Sequence, residues 1–186
     1  MKATIKTEID ISEKEILKLS NDCLAKEAER IANIVKNNGN NTLLFFDAPA
    51  PIGITAASVS QGVKNDPAIY VFRMAKAVSK AKFDDVTYGA KTDSNLKGAK
   101  FKKDGFLYLG KAENVQKRLD EHLGAADKAP YSLKLGHSNR SHLVGNVELY
   151  VFYLKKEFKR YKLTVLSAVE SRLHDLLEPY VGTKRV

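Results

Sequence analysis

The apolar pattern of the first 40 residues is typical of one amphipathic helix. Apolar side chains recur near helical spacing at Ile16, Leu19, Cys23, Ile31 and Val35. Ser12 and Glu15 stand three apart, as in a capping box, and Gly39 supplies a stop beyond the last apolar position. We therefore expect one long helix over residues 12–37, with the thiol of Cys23 buried on its apolar side.

After residue 67 the pattern changes to short apolar runs that alternate with helical segments. The runs predict strands over residues 68–72, 105–109 and 146–153. The periodic segments predict helices over residues 113–123 and 162–178, the second ended by Pro179. The order strand, strand, helix, strand, helix is that of a small α+β domain.

Three other segments fall outside this order. Residues 43–46 are apolar enough for a short strand, and residues 48–65 carry the prolines and glycines of a loop. Residues 76–104 are rich in Lys, Asp, Gly and Ser, so we expect a long insertion between the first two strands. The chain is thus predicted to have an N-terminal helix and loop extension, residues 1–66, before a main domain, residues 67–186.

The composition narrows the class of protein. A hydrophobic fraction of 44% and a charged fraction of 28% are those of an ordinary globular domain. The apolar runs are far shorter than the roughly 20 residues that span a bilayer, and residues 1–6 lack the apolar stretch of a secretory signal, so we expect a cytoplasmic protein. Cys23 is the only cysteine, which excludes an intrachain disulfide and a cysteine-based zinc cluster.

The net charge of +9, from 31 basic and 22 acidic side chains, suits a polyanionic partner. Charge alone does not separate nucleic acid from an acidic lipid surface. The predicted insertion is itself basic, with lysines at Lys76, Lys80, Lys82, Lys91, Lys97, Lys100, Lys102 and Lys103. That stretch is either a DNA-contacting surface or a solvated loop.

The helix at residues 113–123 carries two polar residues beside its apolar stripe of Val115, Leu119 and Leu123. Arg118 and His122 are four apart, so they share one face at the edge of that stripe. An arginine there can reach a cleft while its stem packs on the core. The alternative is a surface arginine beside a half-buried histidine.

Glu170 lies inside the apolar face of the last helix, which is formed by Leu166, Val169, Leu173, Leu176 and Leu177. A carboxylate taken out of water costs several kcal/mol unless a cation compensates it. The cation is either a buried Arg or Lys, or a hard metal ion such as Mg²⁺, which often binds through one or two carboxylates. The spacing leaves both alternatives open.

The run YLGKAENVQKRL at residues 108–119 resembles the second signature of the GIY-YIG nucleases, and looks most like the nuclease module of bacterial excision repair. Residues 68–74 resemble the first signature, with Ala68 where glycine is usual, and Glu170 matches the late helical glutamate. The position of His122, one turn after Arg118, resembles the restriction-enzyme and homing branches, in which a histidine follows the arginine at this spacing. The resemblance covers residues 67–183, and it implies a three-stranded antiparallel sheet flanked by helices, with residues 67–186 as the catalytic domain.

The resemblance also implies a site, made of Tyr70, Tyr108, Lys111, Arg118, His122 and Glu170. Glu170 would hold one Mg²⁺ or Mn²⁺ on the scissile phosphate, and Arg118 would neutralise the charge that develops there. Tyr70 would position or deprotonate the attacking water, its pKa lowered by the metal, Lys111 or Arg118. Tyr108 would hydrogen-bond to water or phosphate, and His122 would contact phosphate or assist proton transfer.

The chain departs from the family pattern in its spacing. Tyr70 and Tyr108 are 38 residues apart, far more than is usual. Either a long insertion separates them, or the first tyrosine of the site is Tyr88; we favour Tyr70 because its surroundings predict a strand. The asparagine that family members often carry near Gly182 is missing.

His137 and His142, in a polar loop, could contact phosphate.

These features predict a metal-dependent endonuclease that acts on double-stranded DNA, in restriction, repair, a mobile element or anti-phage defence. A type II restriction enzyme would cut both strands as a homodimer or in two sequential nicks. One alternative is a catalytically degenerate nucleic-acid-binding protein of the same fold. Another is a structural or partner-binding protein in which Glu170 forms only an ion pair.

Overall fold

The computed structural model describes the chain in eight stretches: residues 20–37, 39, 41–47, 51–54, 63–79, 100–124, 132–136 and 141–181. Several predicted features lie outside these ranges: the capping box at Ser12, the alternative tyrosine Tyr88, His137, Gly182, and four of the eight lysines of the insertion, Lys80, Lys82, Lys91 and Lys97.

Antiparallel strands form the centre of the fold. In chain order they are β1 (Phe46–Asp47), β2 (Ile52–Gly53), β3 (Ala68–Met74), β4 (Val78–Ser79), β5 (Lys100–Phe101), β6 (Phe106–Ala112) and β7 (Val147–Leu154). The middle strand β3 pairs with β6 on one side and with β7 on the other. All seven residues of β3 are buried, because both faces of the sheet are covered at its middle. The three long strands confirm the strands predicted from the apolar runs.

The sheet is wider than the sequence predicts. Both β1 and β2 pair with the outer edge of β7, so the sheet has five strands and not three. β2 lies inside the segment expected to be a loop. A two-residue strand is too short to show the alternation of apolar and polar residues that predicts a strand. Both β1 and β2 form by pairing with the long edge of β7.

The predicted insertion leaves the sheet and returns to it at one place. At its base β4 pairs antiparallel with β5 in a separate two-stranded sheet. Beside this pair, the amide of Asp104 donates to the carbonyl of Met74 at 2.8 Å. The end of β3 and the segment just before β6 are therefore hydrogen-bonded to each other, although the predicted insertion separates them in the chain.

The described chain contains the α-helices α1 (Asn21–Asn37), α2 (Val115–Leu123) and α3 (Lys162–Leu177). α2 and α3 confirm the helices expected over residues 113–123 and 162–178. The prediction of one helix running through residues 12–37 is wrong at Ser20, which is not helical; the Cys23 amide donates to its Oγ at 3.4 Å. Cys23 itself is partly buried against the core.

The helices and the sheet form three layers, which confirms an α+β fold. Helices α1 and α3 pack together on one face of the sheet, over Ile69 and Phe152 among others. Helix α2 covers the opposite face, over Tyr70 and Phe72. None of the helices in the described ranges is long and apolar enough to cross a membrane.

A buried carboxylate attaches helix α1 to the sheet. Glu27 has no exposed surface, and its two oxygens accept from the amides of Leu44 at 3.0 Å and Phe45 at 2.7 Å. The ammonium of Lys155 donates to the carbonyls of Leu43 and Leu44, at 2.8 and 3.2 Å. Residues on both sides of position 66 thus share one sheet and one core, and the division of the chain there stays a prediction.

Removal of the Glu27 carboxylate should destabilise the protein strongly. Glu27→Ala leaves the buried amide of Phe45 and the partly buried amide of Leu44 without this acceptor, so we expect the free energy of unfolding to fall by about 3 kcal/mol. Urea unfolding measures the change. The matched control is Glu29→Ala on the same helix, whose side chain is 55% exposed and should change the stability by less than about 0.5 kcal/mol. Equal losses in the two variants would contradict this account.

Candidate active site

The centre of the candidate site is set by a glycine in β6. Tyr70 of β3 pairs directly with Gly110 of β6, so its ring lies across that position. A Cβ atom on Gly110 would stand 2.5 Å from Tyr70 Oη and 2.8 Å from Tyr108 Cε1. Any other residue at position 110 would push one of the two tyrosines aside. The glycine of the YLGK run therefore serves close packing of the tyrosines.

Tyr70 and Tyr108 lie on the face of the sheet that helix α2 covers. Tyr70 is 1% exposed and Tyr108 is 8% exposed. Their rings stack with centroids 6.0 Å apart, and the Tyr108 ring lies 4.7 Å from the ring of His122. The Tyr70 hydroxyl hydrogen-bonds to His122 Nε2 at 3.0 Å and also interacts with Arg118 and the Tyr108 hydroxyl. Four of the six predicted site residues thus meet.

His122 is held in a single tautomer by the backbone. Its Nδ1 accepts from the amide of Leu133 at 2.9 Å, so Nδ1 carries no proton. In the neutral ring the proton is then on Nε2, which donates to Tyr70 Oη. Burial lowers the pKa of His122 well below its ordinary value of 6.5, and the charge of Arg118 lowers it further. The ring is therefore neutral at physiological pH.

The predicted contact of His122 with phosphate does not fit this geometry. The side chain has no exposed surface, and both ring nitrogens are used inside the protein. The helical spacing placed His122 at the edge of the apolar stripe, yet Leu133 and the two tyrosines enclose it completely. His122 is a positioning residue for Tyr70.

The ionisation of Tyr70 also differs from the expectation. The family resemblance implies that a metal, Lys111 or Arg118 lowers the pKa of this tyrosine. Burial instead raises the pKa of Tyr70 well above its ordinary value of 10, and Tyr108 raises it further, while Arg118 opposes both. Tyr70 therefore keeps its proton at neutral pH. It can position a group through hydrogen bonds.

Arg118 is the part of this cluster that reaches solvent. Its side chain is 21% exposed, and Nη1 donates to Glu121 Oε2 at 2.5 Å. Although burial lowers the pKa of Arg118, Tyr70 and Glu121 raise it beyond its ordinary value, so the guanidinium is always charged. Glu121 was not predicted as a site residue, although its spacing of three from Arg118 on one helix could have indicated it.

Lys111 and Glu170 form a second group. Lys111 Nζ lies 2.9 Å from Glu170 Oε2 and donates to Ser167 Oγ at 2.8 Å. The two charged side chains are 29% and 14% exposed. Of the two alternatives left open for Glu170, the structure contains the ion pair. Ser167 was missed, although its spacing of three from Glu170 on one helix could have indicated it.

The two groups approach the same strand from opposite faces. Side chains alternate along a strand, so Tyr108 and Lys111 point to different sides of β6. β6 is the outermost long strand, and residues Tyr180 and Val181 pair with its first part. In the described chain no strand pairs with the outer side of residues 109–112. The predicted convergence of all six residues is thus replaced by two groups at one sheet edge.

The remaining predicted contact residues lie elsewhere. His142 is half-buried in the short 3-10 helix Ser141–Leu143, and its carbonyl accepts from Asn146 at 2.9 Å. Lys76, Lys102 and Lys103, at the base of the insertion, are exposed. Within the described ranges, no group of three or more His, Cys, Asp or Glu side chains is arranged to hold a metal ion.

Comparisons with models of protein families, with curated proteins and with solved structures find no match to this chain.

The buried, neutral state of His122 predicts a pH-dependent stability. Because its pKa in the folded protein lies below the value of about 6.5 in the unfolded chain, the unfolded chain binds a proton that the folded protein excludes. The contribution of His122 is complete above about pH 6.5 and is lost as the pH falls towards the folded pKa, by up to about 1.4 kcal/mol per pH unit. Urea unfolding measured from about pH 7.5 to about pH 5 should show this slope of the unfolding free energy in the wild type. The slope should be shallower in His122→Gln.

A second measurement covers the case in which His122→Gln does not fold. The ¹⁵N signals of the imidazole report its tautomer and charge directly in the wild-type protein. We expect His122 to remain neutral, protonated on Nε2, at about pH 5.5, one unit below its ordinary pKa. Titration of this ring near its ordinary pKa would contradict the assigned geometry.

Proposed function

We propose that this protein is a metal-dependent phosphodiesterase that cleaves double-stranded DNA, a nuclease of the GIY-YIG type. The observation that carries the proposal is the buried Tyr70 hydroxyl, fixed by His122 beside the charged and partly exposed Arg118. Glu170 is a mostly buried carboxylate, and its partner Lys111 lies on the same strand β6 as Tyr108. A permanently charged donor suits a phosphate, and a partly buried carboxylate suits the metal ion that such a reaction uses.

Arg118 provides the anion-binding part of the proposed site. Its planar guanidinium has five N–H donors in a fixed arrangement, and it contacts Tyr70 and Glu121. Contacts on two sides fix the plane of the group before a phosphate arrives. A fixed donor of permanent charge stabilises the additional negative charge of a phosphoryl transition state more than that of the ground state.

Glu170 and Ser167 provide oxygen atoms of the type that Mg²⁺ and Mn²⁺ prefer. Both oxygens already contact one cation, the Lys111 ammonium, which supports their fit to a cation of another kind. A single carboxylate is sufficient for Mg²⁺ when water and substrate phosphate supply the other ligands. When bound there, the metal would supply Lewis-acid polarisation of the phosphoryl oxygens.

The tyrosines are proposed to orient the water and the phosphate. Tyr70 stays protonated, so its hydroxyl acts through hydrogen bonds. Tyr108 is the more exposed of the two, at 8% against 1%, and so is closer to solvent. We assign direct contact with water or phosphate to Tyr108, and we assign Tyr70 and His122 the positioning of Tyr108 and Arg118.

A DNA substrate is favoured by charge. The net charge of +9 gives the protein a long-range attraction for phosphodiester backbones. On helix α2, exposed Lys117 directly precedes Arg118, and exposed lysines lie at the base of the insertion. Within the proposal, a type II restriction enzyme would act as a homodimer, and a nuclease acting on intracellular DNA would work in the cytoplasm.

A second candidate is a nucleic-acid-binding protein of the same fold that does not cleave. The observation in its favour is the Lys111–Glu170 ion pair, because a carboxylate neutralised by the protein's own lysine does not require a metal. The two candidates share a basic surface and differ in hydrolysis. A salt-dependent gel shift without cleavage would favour the second candidate.

Cleavage of supercoiled plasmid in the presence of Mg²⁺ tests the first candidate. We expect the wild-type protein to nick or linearise the plasmid. Glu170→Gln should lower the rate about a thousandfold, since it removes the charge that would hold the metal, and Arg118→Ala about a hundredfold. EDTA should abolish the reaction.

The matched control is Asp175→Asn, which removes an exposed carboxylate from the same helix α3. Its cleavage rate should equal that of the wild type within about twofold, as expected for a surface substitution. Equal rates for Glu170→Gln and Asp175→Asn would contradict the role proposed for Glu170. Lack of cleavage of any DNA by pure wild-type protein would exclude the nuclease.

A further inference from the structure

Ser167 and Glu170 present two oxygen atoms to one ammonium group. They are three residues apart on helix α3, so they share one side of that helix. Lys111 comes from β6, and its Nζ lies 2.8 Å from Ser167 Oγ and 2.9 Å from Glu170 Oε2. The three side chains thus form a small cation site in which the cation belongs to the protein.

This arrangement differs from an ordinary surface ion pair in two respects. The carboxylate is only 14% exposed, whereas the nearby pair of Lys162 and Glu113 has side chains 38% and 54% exposed. The ammonium also has a hydroxyl partner in addition to the carboxylate. A lysine is a compact charge on a flexible stem, so its ammonium can leave such a site without a change in the backbone.

A divalent ion and the ammonium cannot both occupy the oxygens of this site. Mg²⁺ requires ligand oxygens at about 2.1 Å, closer than the ammonium stands. Two cations on one carboxylate oxygen would repel each other strongly in a partly buried site. Binding of a metal at Glu170 Oε2 and Ser167 Oγ therefore requires Lys111 to move.

We propose that the Lys111 ammonium is a resident cation that a divalent metal displaces, and that Ser167 is a further oxygen ligand of that metal. The displaced ammonium stays tethered to β6, one residue from Gly110, and becomes available to a phosphate of the substrate. The Lys111–Glu170 pair is charge-balanced, so Glu170 can lie in a mostly apolar face. This inference rests on the proposed function for the identity of the substrate, but the displacement itself can be measured without DNA.

The test is a titration of the full chain with Mn²⁺, followed by paramagnetic broadening of backbone amide signals in ¹H–¹⁵N spectra. Broadening should centre on residues 111, 167 and 170. Lys111→Met removes the competing cation and should bind Mn²⁺ about tenfold more tightly. Ser167→Ala should bind it several-fold more weakly, and Glu170→Gln should lose the localised broadening.

Two controls separate displacement from general charge effects. Lys162→Met removes a lysine from the neighbouring, more exposed ion pair and should leave the Mn²⁺ affinity within about twofold of the wild type. Ser171→Ala, one turn after Ser167 on the same helix, should also have no effect. The spectra themselves report whether each variant is folded.

Unchanged or weaker Mn²⁺ binding by Lys111→Met would overturn the displacement, even if the wild type cleaves DNA. Unchanged binding by Ser167→Ala would remove Ser167 from the site. Absence of localised broadening in the wild type at millimolar Mn²⁺ would overturn the inference as a whole. The expected affinities in a protein that cleaves no DNA would support the cation site and remove the proposed nuclease.

Discussion

The candidate site depends on the close approach of Tyr70 to position 110 of the neighbouring strand. Tyr70 can lie across β6 only because Gly110 has no side chain; a Cβ atom there would stand 2.5 Å from the Tyr70 hydroxyl. That approach brings the hydroxyl under helix α2, where His122 and Arg118 engage it. The register of β3 against β6 therefore fixes the polar cluster.

The cluster's electrostatics follow from the same burial. Tyr70 is 1% exposed, and burial keeps its hydroxyl protonated; His122 has no exposed surface, and burial keeps its imidazole neutral. The Leu133 amide fixes the histidine tautomer and so decides which way the hydrogen bond to Tyr70 runs. Arg118 then carries the only charge that the cluster of two tyrosines, histidine and arginine presents to solvent. The arrangement suits a site that positions and stabilises an anion more than one that removes a proton by a tyrosinate.

The sequence predicted features that depend on local periodicity and failed where distant parts of the chain meet. Helical spacing correctly indicated that Glu170 needs a cation, and that Arg118 lies beside an apolar stripe. It did not reveal that the cation is Lys111, because that lysine lies on a strand far from Glu170 in the chain. Complete burial of His122 and of Glu27 likewise depends on backbone groups of other segments. The wider sheet escaped prediction for the same reason, since its added strands exist only through pairing with β7.

The central claim is that this sheet edge hydrolyses phosphodiester bonds in DNA. The most direct measurement is sequencing of the ends produced when the wild-type protein and Mg²⁺ act on a library of random double-stranded DNA, because it requires no knowledge of a recognition site. The account predicts ends above the background given by Glu170→Gln, enriched at a common sequence or structure. An identical set of ends from both proteins would contradict it.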